Sequence, residues 1–381
     1  MPDSIYLDHN ATARPAPEAV RALADCLRHA WGNPSSSHPL GQTARRTLDA
    51  ARRALAAWLG CKPAEIVFTS GATEANTIAL RGAVARACGA RRRLLVSRVE
   101  HAGLLKLVRE LQAQGTPLDF IDVRRDGALD LAAAQAQMRD DVALVSVMAA
   151  NNETGVLMPI AALARMAHAC GALLHVDATQ LVGRLPFDFA ASGADLASLS
   201  AHKIGGPKGV GALLLRHGLA WPALFAGTQE RGRRGGTENL PGIAGFAAAA
   251  GRLMTGEPLP ARAARIGRLR DRLEQGLRER LAIEVYGATQ PRLPNTSCLR
   301  IAGLHADEVL NRLERLGVIA SAGAACMAGA DEPSHVLLAM GVAREEALGA
   351  VRFSLGDDTT EDEIRYVVER LPAALGARRA A

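Results

Sequence analysis

Apolar and polar positions alternate along this chain with two different periods. Between about residue 16 and 250, segments with apolar residues three and four apart interleave with short runs that are apolar throughout. The first kind predicts helices over residues 16–30, 42–59, 74–88 and 160–170. The second predicts strands over 65–69, 93–97, 118–122, 142–148, 173–177, 196–200 and 211–216, the last two flanking a glycine-rich turn. Continuous apolar runs mark strands buried on both faces, so the alternation predicts an α/β layer built on a mostly parallel sheet. Thr255-Gly-Glu-Pro-Leu-Pro260 reads as a linker. Beyond it, an amphipathic helix over 261–281 precedes a strand, helix, loop, helix, strand and helix, which predicts a second, smaller α+β domain.

Composition narrows the class. A chain of 381 residues, 49% hydrophobic and 22% charged, can fill two cores. The net charge of +6 comes from arginines scattered among Glu and Asp, and aromatics are only 3%, so no aromatic-rich basic stripe points to nucleic acid. Neither a leader-like N-terminus nor a bilayer-length apolar run is present, so a soluble, cytoplasmic protein without a membrane partner is expected. The six cysteines form no Cys-x-x-Cys pair, so no metal site is expected and the thiols should be free. Cys26, Cys61, Cys88, Cys170 and Cys298 sit among apolar neighbours and read as core fillers. Cys326 instead lies in Ser-Ala-Gly-Ala-Ala-Cys-Met-Ala-Gly, a small-residue stretch suited to a loop.

Polar residues that end the apolar runs carry the candidate chemistry, because α/β sheets place ligands at strand carboxyl ends. Asp177 ends one run, in Leu-Leu-His-Val-Asp177-Ala-Thr-Gln180. A buried carboxylate there needs a partner, and the ring nitrogen of pyridoxal 5′-phosphate (PLP) is a suitable one; a helix cap is the simpler alternative. Lys203 ends the next run, in Ser200-Ala-His202-Lys203-Ile-Gly-Gly. A lysine with its stem among apolar residues forms Schiff bases readily. The competing reading is a surface lysine in a hairpin, as Lys208 would be.

Thr69-Ser-Gly-Ala72-Thr73-Glu74 joins a strand to a helix N-terminus that would hold a phosphate, unless Ser70 or Thr73 is only a cap. His101 and Asn152 end two further strands. They read as a ring-stacking proton carrier and a cofactor or substrate contact, or else as a solvated histidine and an ordinary turn. Each pattern has an ordinary explanation alone; five in order at five strand ends favour a PLP site.

Together these residues resemble the class V aminotransferase group of fold-type I PLP enzymes, most of all the NifS-like cysteine desulfurases. The resemblance runs from Tyr6-Leu-Asp-His-Asn10-Ala-Thr to Arg352-Phe-Ser-Leu-Gly356 and includes Gln229-Glu-Arg-Gly-Arg-Arg-Gly-Gly-Thr237 and Ser321-Ala-Gly-Ala-Ala-Cys326. It implies a large PLP-binding domain with a seven-stranded-type sheet over residues 16–258, and a small domain from residues 1–15 and 259–381 carrying the Cys326 loop. It implies that Lys203 forms the Schiff base, Asp177 meets the ring nitrogen, Gln180 the ring hydroxyl, and His101 the ring face. Ala72, Thr73, Ser200 and His202 would hold the phosphate. Thr237 would reach the phosphate of a second subunit, which implies a homodimer with shared active sites. Arg352 would pair with the substrate carboxylate, beside Asn10 and Asn152.

The implied reaction takes sulfur from L-cysteine, leaving L-alanine and a persulfide on Cys326. A sulfur-acceptor protein, such as an iron–sulfur cluster scaffold, would receive the sulfur. A selenocysteine lyase or another class V lyase or transaminase is the alternative within PLP chemistry. A sulfur-relay protein with a decayed site is the alternative outside catalysis. One departure from the pattern is His9, where relatives often carry Asn or Tyr.

Overall fold

The computed structural model describes residues 4–87, 89, 91–323 and 332–376. Cys88 and Cys326 lie outside the described residues. Thirteen strands occur among them. They are β1 (Ile5–Tyr6), β2 (Ile66–Thr69), β3 (Arg93–Ser97), β4 (Leu118–Ile121), β5 (Val142–Met148), β6 (Leu173–Asp177) and β7 (Leu196–Ser200). There follow β8 (Gly211–Leu215), β9 (Ile283–Val285), β10 (Thr296–Ile301), β11 (Val318–Ile319), β12 (Ser321–Ala322) and β13 (Ala350–Ser354).

The large sheet has seven strands in the order β2-β8-β7-β6-β5-β3-β4. Only β8 runs against its neighbours, pairing antiparallel with both β2 and β7. The remaining pairs are parallel. Six strands therefore deliver their carboxyl ends to one edge. Successive residues feed opposite faces: Ile66 and Phe68 belong to one buried cluster and Val67 to another, as do Val145 and Leu144. Burial on both faces is why these strands appear as unbroken apolar runs.

The smaller sheet is antiparallel, in the order β12-β13-β10-β9. The helices Leu259–Arg278 and Glu361–Ala374 pack together against it. Leu7, from the start of the chain, is buried in this second core. Its neighbours β1 and β11 pair in parallel, and Asp8 bridges to Ser354 on β13. The segment around Val336, Leu337 and Met340 packs instead with the core of the large sheet.

Several boundaries differ from the expectation. Residues 63–65 form a tight 3-10 turn, so the first large-sheet strand begins at Ile66. The helix expected over 74–88 begins at Ala72 and ends at Arg86. The expected linker is far shorter, because Thr255 ends one helix and the next starts at Leu259. Pro260 sits in that helix's first turn, where its missing N–H costs nothing. Cys26 and Cys298 are buried as expected, whereas Cys61 and Cys170 are only partly so.

Candidate functional site

A cavity of about 490 Å³ lies at the strand-end edge of the large sheet, closed on one side by β13. Its lining includes Asn10, Ala72, Thr73, His101, Asn152, Asp177, Gln180, Ser200, His202, Lys203 and Arg352. The fold thus brings together every site residue read from the sequence except two. Thr237 is exposed in the loop before the helix Leu240–Thr255 and does not line this cavity. Cys326 lies outside the described residues.

At one end of the cavity the helix Ala72–Arg86 begins without a side-chain cap. The N–H groups of a first helical turn have no carbonyl partners in the helix, so they are available to an anion. Gly71 makes this approach possible with a φ of +156°, a backbone conformation that disfavours side chains. A Cβ built there would lie 3.7 Å from Ser200 Oγ, inside the cradle. His202 completes this end, with Nδ1 3.1 Å from Thr12 Oγ1. Burial first, then the cations Lys203, Lys208 and Arg184, push its imidazole down to about 4, so it is neutral at pH 7.

Asp177 lines the same cavity, at the close of β6. Its Oδ2 accepts from Asn76 Nδ2 at 2.8 Å and its Oδ1 from the Thr179 N–H at 3.0 Å. Sequence reasoning missed Asn76. Its signal was a polar residue on the buried face of a helix, between Ala75 and Ile78. Two residues before Asp177, His175 sits between Ser146 Oγ (2.8 Å) and Ser198 Oγ (2.9 Å), joining β5, β6 and β7. Burial lowers His175 to about 4, so the ring is neutral and serves this ladder.

Glu100 is fully buried nearby, and its Oε1 accepts from the Met148 N–H at 2.6 Å. Burial, and then the neighbouring Asp177, hold this carboxyl well above the usual range.

Lys203 lies in the tight turn that follows β7. Its Nζ donates to the carbonyls of Asn10 (2.6 Å) and Ala11 (2.8 Å). Asn10 is itself fixed across the molecule: its Nδ2 donates to Thr296 Oγ1 at 2.9 Å and to the Asn152 carbonyl at 3.1 Å. His101 precedes the helix Ala102–Ala113, an element absent from the expected set, and caps it by accepting from the Gly103 N–H at 3.1 Å. That bond leaves Nδ1 unprotonated, so a neutral ring carries its proton on Nε2. His9 is buried against Gly356 and lies 3.6 Å from Asp358, away from the cavity lining.

Arg352 enters from β13. Its guanidinium donates to Asp8 Oδ1 at 2.7 Å and to the Asn152 carbonyl at 3.1 Å. A second cavity of about 770 Å³ shares His101 and Asn152 with the first. Glu153 lines it, buried, accepting from Ser334 Oγ. Burial pushes the Glu153 carboxyl up to about 7, against the opposing pull of Ser334, Arg352 and His101. Gly155 closes this turn with a φ of +77°, and a Cβ there would stand 2.9 Å from Thr296 Cβ. The Asn151–Gly155 turn thereby packs directly on β10.

The donor set fits PLP. An uncapped helix start suits a phosphate, a nearly buried carboxylate suits a protonated ring nitrogen, and a lysine lines the same cavity.

Comparison with known proteins agrees with this geometry. The family model for "Aminotransferase class-V" matches residues 5–367. A cysteine desulfurase of Cereibacter sphaeroides is 47% identical over 99% of this chain and 97% of its own length. A cysteine desulfurase of Rhodobacter capsulatus is 45% identical with the same coverage, 99% and 97%. Among solved structures, a NifS-like protein superposes with a TM-score of 0.91 at 34% identity, covering 98% of this chain and all of its own. SspA in complex with cysteine superposes at 0.83 with 27% identity, over 94% of this chain. A family match spanning both sheets, on a fold that gathers Lys203, Asp177 and Arg352 into one cavity, allows one conclusion: the chain belongs to the aminotransferase class-V family.

Proposed function

We propose that this protein is a PLP-dependent cysteine desulfurase, taking sulfur from L-cysteine to leave L-alanine and a persulfide on Cys326. The observation that carries the reading is the meeting of Lys203, Asp177 and Arg352 in one cavity, contributed by two adjacent strand ends and by the second sheet. Relatives named cysteine desulfurase at 45–47% identity support the choice among class V activities.

Ala72, Thr73, Ser200 and His202 would hold the PLP phosphate, and Asp177, set by Asn76, the ring nitrogen. Bound there, PLP supplies an electron sink for the bond electrons released at the substrate Cα. Lys203 carries the cofactor and afterwards moves the proton at Cα, close to the Asn10 and Ala11 carbonyls that steady its amine. Arg352 binds the substrate carboxylate, a task suited to a planar guanidinium, with Asn10 and Asn152 beside it. His101 would cover the ring face of the bound cofactor, and in its neutral form its proton sits on Nε2, because Nδ1 accepts from Gly103. Cys326 takes that sulfur: the Cβ–S bond of cysteine breaks, an S–S bond to Cys326 forms, and the carbon skeleton leaves as alanine.

Thr237, exposed on its own subunit, suits a homodimer in which it reaches the partner's phosphate. A sulfur-acceptor protein of iron–sulfur cluster assembly is the proposed destination, in the cytoplasm. No described helix is long and apolar enough to cross a membrane.

Single-turnover desulfuration by the wild type and Cys326→Ala tests the reading. The wild type should be yellow and release alanine. The variant should keep the colour and yield little alanine. Equal turnover by both would replace the desulfurase with a selenocysteine lyase or another class V lyase.

A further inference from the structure

Arg184 lies four residues beyond Gln180 and stands behind it. One Nη1 donates to both the Gln180 backbone carbonyl and its side-chain Oε1, each at 2.8 Å. The other terminal nitrogen donates to the His9 carbonyl at 3.2 Å. A primary amide presents a carbonyl at one end and two N–H donors at the other, and the two ends have nearly the same shape. A guanidinium has donors only, so this contact decides the orientation. Oε1 must face Arg184, and Nε2 must face the cofactor cavity. There Nε2 donates to the Asn10 carbonyl at 3.0 Å, the carbonyl that also accepts from Lys203. One N–H of Nε2 is used in that bond, and the amide carries a second. Arg184 does not line the cofactor cavity; it lines a smaller one, of about 180 Å³, behind it.

We propose that Arg184 is a positioning residue: by anchoring the Gln180 carbonyl it turns only N–H donors toward the ring hydroxyl of bound PLP, and so stabilises that oxygen as an anion. The inference rests on the reading that Gln180 meets the ring hydroxyl. Without Arg184 the amide can rotate and present its own oxygen, which repels an anionic ring oxygen. Asn10 alone resists that rotation through a single neutral hydrogen bond. The guanidinium is suited to the task because it remains charged: burial lowers it to about 10, with Asp357 opposing and Arg352 reinforcing the shift.

The visible absorbance of lysine-bound PLP reports on this oxygen, because the ring oxygen and the lysine nitrogen share a proton. A donor to the oxygen weakens its hold on that proton and lowers the pH midpoint of the colour change. His9, His202, Asp357 and Arg352 lie in the field of Arg184, and Asp177, His101 and Lys208 line the cavity with Lys203. Any effect of Arg184 through these charges persists in the Gln180→Ala background, where the double variant reads it.

The experiment is a spectrophotometric pH titration of the PLP-loaded wild type, Arg184→Leu, Gln180→Ala, the double variant and Arg184→Lys. Arg184→Leu and Gln180→Ala should each raise the midpoint by roughly one pH unit, the worth of one hydrogen bond to a charged oxygen. The double variant should match Gln180→Ala alone, and Arg184→Lys should stay near the wild type. If the Arg184→Leu shift persists undiminished in the Gln180→Ala background, Arg184 acts as a distant charge and the proposal is overturned. If Gln180→Ala shifts the midpoint and Arg184→Leu does not, the positioning role fails while the Gln180 contact stands. If Gln180→Ala leaves the midpoint unmoved, the contact itself fails. Gln180→Glu covers the case in which Arg184→Leu does not fold. It keeps a partner for Arg184 but offers no donor, so its midpoint must lie above that of Gln180→Ala; a midpoint at or below the wild-type value refutes the proposal.

Discussion

At the rear of the cofactor cavity, Asp177, His175 and Gln180 find their partners on adjoining strand ends and the helix beside them: Asn76, Thr179, Ser146, Ser198 and Arg184. At the mouth, the joints cross the whole chain. Arg352 meets Asp8 from 344 positions away, and Glu153 meets Ser334 from 181. The rear is built mostly of hydrogen bonds among β5, β6, β7 and the helix Ala72–Arg86, with Gln180 and Arg184 also tied to the Asn10 and His9 carbonyls. The mouth is built of charges and buried acids where two sheets meet. In the proposed reaction, electrostatic preorganisation belongs to the rear, which must not move while charge develops on the ring. In that proposed reaction, substrate exchange belongs to the mouth, where Glu153 titrates and Arg352 would meet an incoming carboxylate.

Substituting at the rear should have the largest effect. Asp177→Ala removes the proposed partner of the ring nitrogen, and alanine release is expected to fall by about 10²–10³-fold, in line with the loss of a preorganised electrostatic contact. Measured with saturating PLP and cysteine, a fall of less than tenfold would place the electrostatic burden elsewhere.

At the mouth, Arg352→Ala should raise the KM for cysteine by about 10–100-fold, the worth of a charge-assisted hydrogen bond of about 1.5–3 kcal/mol. Its kcat should change less. A kcat loss with unchanged KM would mean that Arg352 serves the Asp8 joint rather than the substrate, and the contrast between rear and mouth would weaken.

A pH dependence of stability is expected from Glu153, which also stands at the mouth. Its carboxyl sits at about 7 in the folded protein against an ordinary 4.5, so the folded state binds the extra proton between these values. The stability it contributes is full below pH 4.5 and is lost as pH rises through about 7, by about 3 kcal/mol at most. Glu153→Gln keeps the shape without the titration. Thermal midpoints at pH 5 and pH 8 should show wild type losing more than the variant on going to pH 8; equal losses would remove Glu153 as the titrating group.

Much of the rear was legible in the sequence. A strand buried on both faces is an apolar run, and the polar residue that stops the run sits at the sheet edge. The observed β5, β6 and β7 match the expected spans, with Asp177 closing β6 and Lys203 in the turn after β7. The mouth was legible only through the resemblance, which picked out Arg352 and Asn10. Nothing local in Ala-Val-Arg-Phe-Ser announces that Arg352 faces Asp8. The second layer of partners escaped altogether. Asn76 looks like one polar residue in a helix, and Arg184 like one of many arginines.

The sequence by itself determined the strands of the large sheet, their mostly parallel direction and which residues stand at its edge, because run length follows from burial within a few residues; the helix Ala102–Ala113 escaped it. Only the tertiary structure decided how those residues are oriented. The Gln180 amide faces the cavity with its nitrogen because Arg184 stands behind it, and Arg352 reaches the site because Asp8 and Ser354 bring the chain's beginning to β13. Such orientations are set by partners distant in sequence or by a single hydrogen bond, and neither leaves a periodic trace in the chain.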